Sequence, residues 1–92
     1  MIKLKTENGH IAYLTSMSDL CRIDSLGICD ECGKPSLVGY LVPVLNHYQC
    51  PHCFDEWRAD AKFYPEDTPV EKRRAQYYES CIPLEKPFEE RS

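Results

Sequence analysis

The sequence predicts a small domain of the α+β class on three observations. The chain has 92 residues, the length of one domain, and 42% of them are hydrophobic, close to an ordinary globular composition. Residues 2–15 and 37–50 have the apolar patterning and composition of strands. Residues 51–64 and 69–81 instead repeat apolar side chains at the spacing of a helix.

The first element, residues 2–15, is predicted to be a β-hairpin. Apolar and lysine side chains alternate before Asn8-Gly9, and apolar residues resume after it. Asn-Gly is a strong hairpin signal because both central residues of a type I′ turn need positive φ. Residues 16–26 predict a short helical turn with Ser18 as its cap.

A second hairpin is predicted for residues 37–50, turning near residues 45–47, with Pro43 at an edge or a bend. The first long helix is predicted for residues 51–64, and Pro65 ends it. Its apolar face comprises Phe54, Trp57, Ala61 and Tyr64.

The second long helix is predicted for residues 69–81. Residues 68–71, Thr-Pro-Val-Glu, have the pattern of a capping box with proline at the first helical position. The predicted buried stripe comprises Val70, Arg74, Tyr77, Tyr78 and Cys81. The two prolines and several charges of residues 83–92 predict an irregular tail, in which Phe88 is the strongest candidate to dock.

Four cysteines are spaced as ligands of one metal ion. Two Cys-x-x-Cys pairs are separated by 17 residues, and this pattern is typical of zinc sites. Two intervening residues let a tight turn direct both sulfurs of a pair at one ion, about 2.3 Å away. Gly33 follows the first pair, where a sharp turn favours positive φ. The predicted ligands of one structural Zn²⁺ are Cys29, Cys32, Cys50 and Cys53.

Residues 28–64 resemble a zinc ribbon or a treble-clef finger. In a treble clef a knuckle is followed by a hairpin, and the second cysteine pair opens a helix, so the helix after Cys50 favours this type. The resemblance implies a structural metal and no particular function, since such fingers serve unrelated roles. We therefore expect a single domain of residues 1–92, comprising an N-terminal hairpin and connector (1–27), the finger (28–64), a C-terminal helix (66–82) and the tail (83–92).

Other chemistry for these cysteines stays open at this point. One pair could be a redox motif, iron could replace zinc, and two disulfides would form in an oxidising compartment. His52 lies inside the second pair and could replace a cysteine as a ligand. Cys21 and Cys81 lie in apolar patterns and are expected to be free, while a role as further ligands or a pairing between them stays open.

The charge of the chain argues against general binding to nucleic acid. Eleven basic and 15 acidic residues give a net charge of −4. Four thiolates (−4) and one Zn²⁺ (+2) would bring it to −6, which repels phosphate and suits a protein partner with a basic surface. The candidate partner-binding residues are Asp55, Glu56, Asp60, Glu66, Asp67 and Glu71.

No motif of a nucleophile or a phosphate-binding loop is present, so we expect a non-enzymatic interaction module. Asn46-His47 is the one local hint of a nuclease, and it lacks an evident partner. The alternative function is a small nucleic-acid-binding zinc-finger regulator. Its candidate surface is the basic stretch 72–74 beside Tyr77-Tyr78, although a solvated helix face explains the same residues.

In size, acidity and expected zinc dependence, the chain resembles small phage-encoded inhibitors such as anti-CRISPR proteins. That resemblance implies an inhibitor or adaptor that docks on a basic channel of a nucleic-acid-handling protein. The N-terminal segment lacks the apolar region of a signal peptide, and no apolar run is long enough for a membrane span. We therefore expect a cytoplasmic location in a bacterial or phage-infected cell.

Overall fold

The structure, a computed structural model, describes residues 1–85. These residues form one antiparallel sheet whose strands are adjacent in chain order: β1 (Ile2–Lys5), β2 (Ile11–Thr15), β3 (Gly39–Val42) and β4 (His47–Gln49). The α-helices are α1 (Met17–Cys21), α2 (Pro51–Asp60) and α3 (Thr68–Cys81), and a 3₁₀ turn at Pro65–Asp67 precedes α3. The α+β class, the N-terminal hairpin and the C-terminal helix are confirmed.

Helices cover both faces of the sheet, because side chains that alternate along the strands divide between two apolar clusters. Leu41 packs on one face with Tyr78 of α3, and Val42 packs on the other with Phe54 of α2. The buried members on the α3 side are Met1, Tyr13, Leu20, Leu41, Tyr48, Ala75, Tyr78 and Ile82. Those on the α2 side are Ala12, Val42 and Phe54, with Leu4, Tyr40, Val44, Leu45 and Trp57 partly buried against them.

The first hairpin has the predicted strands and a different turn. Ile2 pairs with Leu14 at the open end, and Lys5 pairs with Ile11 next to the turn. Gly9 has a φ of 93°, whereas Asn8 does not adopt positive φ, so the turn is not type I′. The Asn8 amide instead donates to the carbonyl of Ala61, which ties this turn to the end of α2.

The cap of α1 is Ser16, and the prediction of Ser18 is wrong. The Ser16 hydroxyl accepts from the backbone N–H of Asp19 at 3.4 Å, and the Asp19 carboxylate accepts from the Ser16 N–H at 3.0 Å. These two bonds form a capping box. The Ser18 hydroxyl lies 3.1 Å from that of Ser16.

Helix α2 is shorter than predicted, and its predicted apolar face is only partly buried. Helix α2 ends at Asp60, four residues early, because Ala61 takes an extended conformation, although its N–H still donates to the Trp57 carbonyl as in the helix. Phe54 is buried and Trp57 half-buried, as expected of the apolar face, but Tyr64 lies beyond the helix and is exposed.

Helix α3 begins at Thr68 without a side-chain cap, so the predicted capping box is wrong. The Glu71 carboxylate accepts from the backbone N–H of Ile11 at 2.9 Å and lies 3.3 Å from Nδ1 of His10. The buried residues of the helix are Glu71, Ala75 and Tyr78, and Ile82, directly after the helix, is buried as well. Of the predicted stripe, only Tyr78 is buried, and Tyr77 is 58% exposed. Phe88 lies outside the described residues.

Candidate metal centre

The four predicted cysteine ligands converge on one point. Their sulfur atoms all lie within 4.8 Å of one another, and the Sγ atoms of Cys32 and Cys50 are 3.9 Å apart. Sulfurs at the corners of a tetrahedron with metal–sulfur bonds of about 2.3 Å are ~3.8 Å apart. A disulfide needs sulfurs only about 2.05 Å apart. The cluster therefore has the dimensions of a site for one tetrahedral ion.

The first pair lies in a short ribbon, residues 26–38, which is closed by a tight turn at residues 29–34 that we call the knuckle. Ile28 and Pro35 form a β-bridge, and inside it the Cys29 N–H donates to the Lys34 carbonyl at 2.9 Å. The Gly33 N–H then donates to the Cys29 carbonyl at 2.8 Å. Gly33 has a φ of 76°, which a residue with a side chain rarely adopts, although the space around it is open. The glycine is thus required by the conformation of the knuckle.

The second pair is positioned by the junction of β4 and α2. Cys50 is the N-cap residue of α2, Pro51 occupies the first turn, and Cys53 follows within that turn. The N-terminal end of a helix carries positive partial charge, which favours thiolates there. Because β4 ends at Gln49, directly before Cys50, the sheet fixes the position of this pair.

The knuckle is held against β4 by two hydrogen bonds between Asp30 and the backbone of Tyr48. Its N–H donates to the Tyr48 carbonyl, and its carboxylate accepts from the Tyr48 N–H, both at 2.8 Å. The Tyr48 ring crosses Gly39, where a Cβ atom would lie 2.5 Å from the phenol oxygen, and its hydroxyl donates to the Ser36 carbonyl at 2.8 Å. These contacts bring the two cysteine pairs together.

The thiols differ in how readily they lose a proton. Burial raises the pKa of Cys29, but the backbone N–H groups of Cys50, Cys32 and Glu31 outweigh it and lower that pKa from 9.0 to about 6. Burial raises the pKa of Cys53, and its hydrogen bonds to the other three cysteines raise it further. Neighbouring thiolates repel one another, and a bound divalent cation stabilises all four. The residues fit Zn²⁺, which prefers this soft tetrahedral set.

Other side chains that could in principle bind a metal, two histidines and two cysteines, lie away from the cluster. Nε2 of His52 is 3.2 Å from a Glu56 carboxylate oxygen, on the exposed side of α2. Nδ1 of His47 is 2.9 Å from a carboxylate oxygen of Glu31. In the described part of the chain Cys21 and Cys81 are free and outside the cluster, and Cys21 is exposed, contrary to its apolar sequence context.

The predicted acidic surface is retained in part. Asp55, Glu56, Asp60 and Glu66 are exposed, and Asp67 is half-buried. Glu71 has to be removed from this set, because it is 5% exposed and bonded inside the fold to His10 and Ile11. Its role is to join α3 to the first hairpin.

The nuclease hint at Asn46 and the basic stretch at residues 72–74 each include a side chain that forms hydrogen bonds inside the fold. The Asn46 side-chain oxygen accepts from the Tyr78 hydroxyl at 2.8 Å, and Asn46 has a φ of 57°, as a tight turn requires. The Arg74 guanidinium donates to the carbonyls of Pro43 and Val44, both at 3.2 Å. Of the basic stretch, Lys72 and Arg73 therefore remain on the exposed side of α3.

Sequence reasoning missed two residues beside the cysteine cluster. Glu31 and Gln49 line one cleft together with Cys53, Glu56 and Trp57. Side chains alternate along a strand, and Tyr48 packs on the α3 side, so Gln49 points to the α2 side of the sheet. This alternation could have been read from the sequence. Glu31 lies in the irregular turn of the knuckle, where no repeating pattern predicts the direction of a side chain.

No protein-family model, curated protein or solved structure matched the chain. Within residues 1–85, the helices are all too short or too polar to cross a membrane.

Proposed function

We propose that the protein is a non-enzymatic interaction module, held together by one structural zinc ion, that docks on a basic surface of another protein. The order of its central elements supports a finger of the treble-clef type. A knuckle carries the first cysteine pair, the β3–β4 hairpin follows, and the second pair opens α2.

The zinc has a structural role in this proposal. A catalytic zinc keeps one coordination position for water or substrate, whereas four thiolates complete a tetrahedron. The second pair also joins β4 to α2, so a bound ion would connect the ribbon, the sheet and the helix. Such an ion contributes free energy of folding directly.

The observation that carries an interaction function is the apolar surface of the ribbon. Leu26 is 79% exposed and Leu37 75%, and the bridge between Ile28 and Pro35 places them opposite each other. Ile28 and Val38 are 45% and 49% exposed and extend the same ribbon. A group of exposed apolar side chains typically marks a surface that another protein covers.

Charge favours a basic partner over nucleic acid. Three carboxylates, from Glu31, Glu56 and Asp60, line one cleft next to the ribbon. An acidic surface of this kind attracts cationic proteins and repels phosphate. The same proposal includes a role as an inhibitor or adaptor, like that of small phage-encoded proteins. It also includes a cytoplasmic location, where thiols stay reduced and available to zinc.

Capture experiments test the interaction function. The zinc-loaded chain, immobilised, is exposed to a nuclease-treated bacterial lysate beside a Leu26→Ser/Leu37→Ser variant. We expect the native chain to retain proteins that the variant does not, and to pass through a heparin column at low salt. Retention on heparin, with no capture that depends on Leu26 and Leu37, would contradict the proposal and favour the nucleic-acid-binding alternative.

Salt dependence tests the charge of the partner. For a captured protein, raising the salt concentration is expected to slow association more than it accelerates release. Glu66→Lys and Asp60→Lys should each act in the same direction, because both residues are exposed. An affinity that stays constant between low and physiological salt would show that the interface is apolar only.

A further inference from the structure

Gln49 has an unusual position for a glutamine. Its side chain is fully buried, and neither its amide oxygen nor its amide nitrogen has a hydrogen-bond partner among the residues that the structure describes. Buried polar groups are nearly always paired, so an unpaired amide calls for a reason. Gln49 lies directly beneath a cleft of about 350 Å³ between α2 and the knuckle and is one of the residues that border it.

The walls of this cleft are acidic and aromatic. Glu31 comes from the knuckle, and Glu56, Asp60 and half-buried Trp57 come from α2. No lysine or arginine lines the cleft in residues 1–85. Glu31 contacts His47 and Glu56 contacts His52, whereas Asp60 has no ion pair in that part of the chain. The walls thus carry three carboxylates without a lysine or arginine to balance them.

The metal centre adds to this negative charge. Cys53 also lines the cleft, and four thiolates around one divalent ion carry a net charge of −2. Carboxylates, an aromatic ring and an unpaired amide oxygen together favour a planar cation. A guanidinium group stacks on an indole and binds carboxylates through two parallel hydrogen bonds, which an ammonium group cannot do.

We propose that this cleft binds an arginine side chain of the protein partner, with the guanidinium against Trp57 and its N–H groups donated to the carboxylates. A small movement of the cleft walls on binding uncovers Oε1 of Gln49, which then accepts from the same guanidinium. The amide nitrogen of Gln49 then donates to a backbone carbonyl oxygen of the partner, next to that arginine. This inference rests on the proposed function, since it assigns the contact by which a basic partner is recognised. It accounts for both unpaired atoms of Gln49.

The test uses a short peptide with one central arginine, capped at both ends, and the zinc-loaded full chain. Trp57 is the one tryptophan of the protein, so its fluorescence reports directly on the cleft. We expect a saturable change with the arginine peptide. Peptides with citrulline, which is neutral and nearly the same shape, or with lysine are expected to bind at least tenfold more weakly.

Two variants separate binding from folding. Gln49→Leu should weaken the arginine peptide at least tenfold while keeping or raising the melting temperature, because it removes an unpaired buried amide. Asp60→Asn, at an exposed position, should also weaken binding. Asp24→Asn is the matched control, since Asp24 is exposed, lies outside the cleft and has a positive φ that asparagine also adopts.

Equal binding of the arginine and citrulline peptides would overturn the proposal. Unchanged binding by Gln49→Leu and Asp60→Asn would do so as well, and a lysine peptide that binds as tightly would overturn the assignment to arginine.

The capture experiment separates this failure from that of the proposed function. If the peptide tests fail but protein capture still depends on Leu26 and Leu37, the interaction function stands and only the cleft assignment fails. Loss of ribbon-dependent capture would instead contradict the proposed function itself.

Discussion

Asp30 and Tyr48 exchange two hydrogen bonds of 2.8 Å, one through the backbone of each residue and one through the Asp30 carboxylate. Asp30 lies between the cysteines of the first pair, and Tyr48 lies two residues before Cys50. Neither residue is a candidate ligand, yet their contact sets the distance between the two pairs. Groups that orient metal ligands in this way affect metal affinity strongly.

Asp30→Ala should therefore weaken zinc binding without removing a ligand. We expect an affinity about 10- to 100-fold lower, as is typical when a group that supports metal ligands is lost. Competition with a chelator of known affinity measures it. Glu7→Ala, in the exposed turn of the first hairpin, is the control. If the two variants bind zinc equally well, the Asp30 contact does not organise the centre.

Glu71→Ala should destabilise the protein substantially. It leaves the backbone N–H of Ile11 and the ring of His10 without their buried acceptor, and we expect a loss of about 3 kcal/mol in the free energy of unfolding. Denaturant titration of the zinc-loaded protein measures this. The nearby exposed residue Glu66 gives the control, because Glu66→Ala should change stability by less than ~0.5 kcal/mol. Similar losses in both variants would contradict the structural role of Glu71.

Stability should fall as the pH rises above 10. Burial and a hydrogen bond to Glu79, 2.5 Å long, raise the pKa of Tyr13 well above its ordinary value of 10.0. A raised pKa in the folded state means that the stabilisation is fully present below pH 10 and declines above it, where the unfolded chain ionises. Melting temperatures between pH 8 and 11 should decline less steeply in Tyr13→Phe. Identical slopes would show that Tyr13 does not contribute.

Local patterns in the sequence were sufficient for part of this fold. The cysteine spacing predicted the cluster, because each Cys-x-x-Cys pair forms in a short local turn, and apolar periodicity located both long helices. The capping box at residues 68–71 was a wrong prediction, because a contact with a distant residue replaces the local one. Glu71 satisfies the local pattern, but His10, 61 residues away, has a buried site for the same carboxylate. Tertiary contacts of this kind have no signature in one sequence.

The turn at Asn8-Gly9 and the cleft show the same limit. Asn-Gly indicated a hairpin correctly, yet the Asn8 side chain bonds to Ala61 and the turn type changes. Glu31 and Gln49 border the same cleft only because the knuckle is held against β4, beside α2. Their sequence neighbours gave no reason to associate them.

Replacing cysteines separates ligands from free thiols. Cys29→Ser and Cys53→Ser should abolish cooperative unfolding, because a structural zinc contributes about 10–16 kcal/mol and a small domain has about 5–15 kcal/mol of stability. Cys21→Ser, at an exposed free thiol, should shift the melting temperature little, and Cys81→Ser should have a moderate effect. Circular dichroism melts compare all four. Equal losses in the four variants would mean that the ligands are assigned wrongly.

The most direct test of the metal centre is the metal content of the native protein. Native mass spectrometry of chain purified without added metal should show one zinc ion per chain. Denaturation in acid should release it, since Cys29, Cys32, Cys50 and Cys53 would then all be protonated. We expect the same stoichiometry from elemental analysis, and its loss in Cys29→Ser. A metal-free chain that remains fully folded, with all four thiols reduced, would contradict the account.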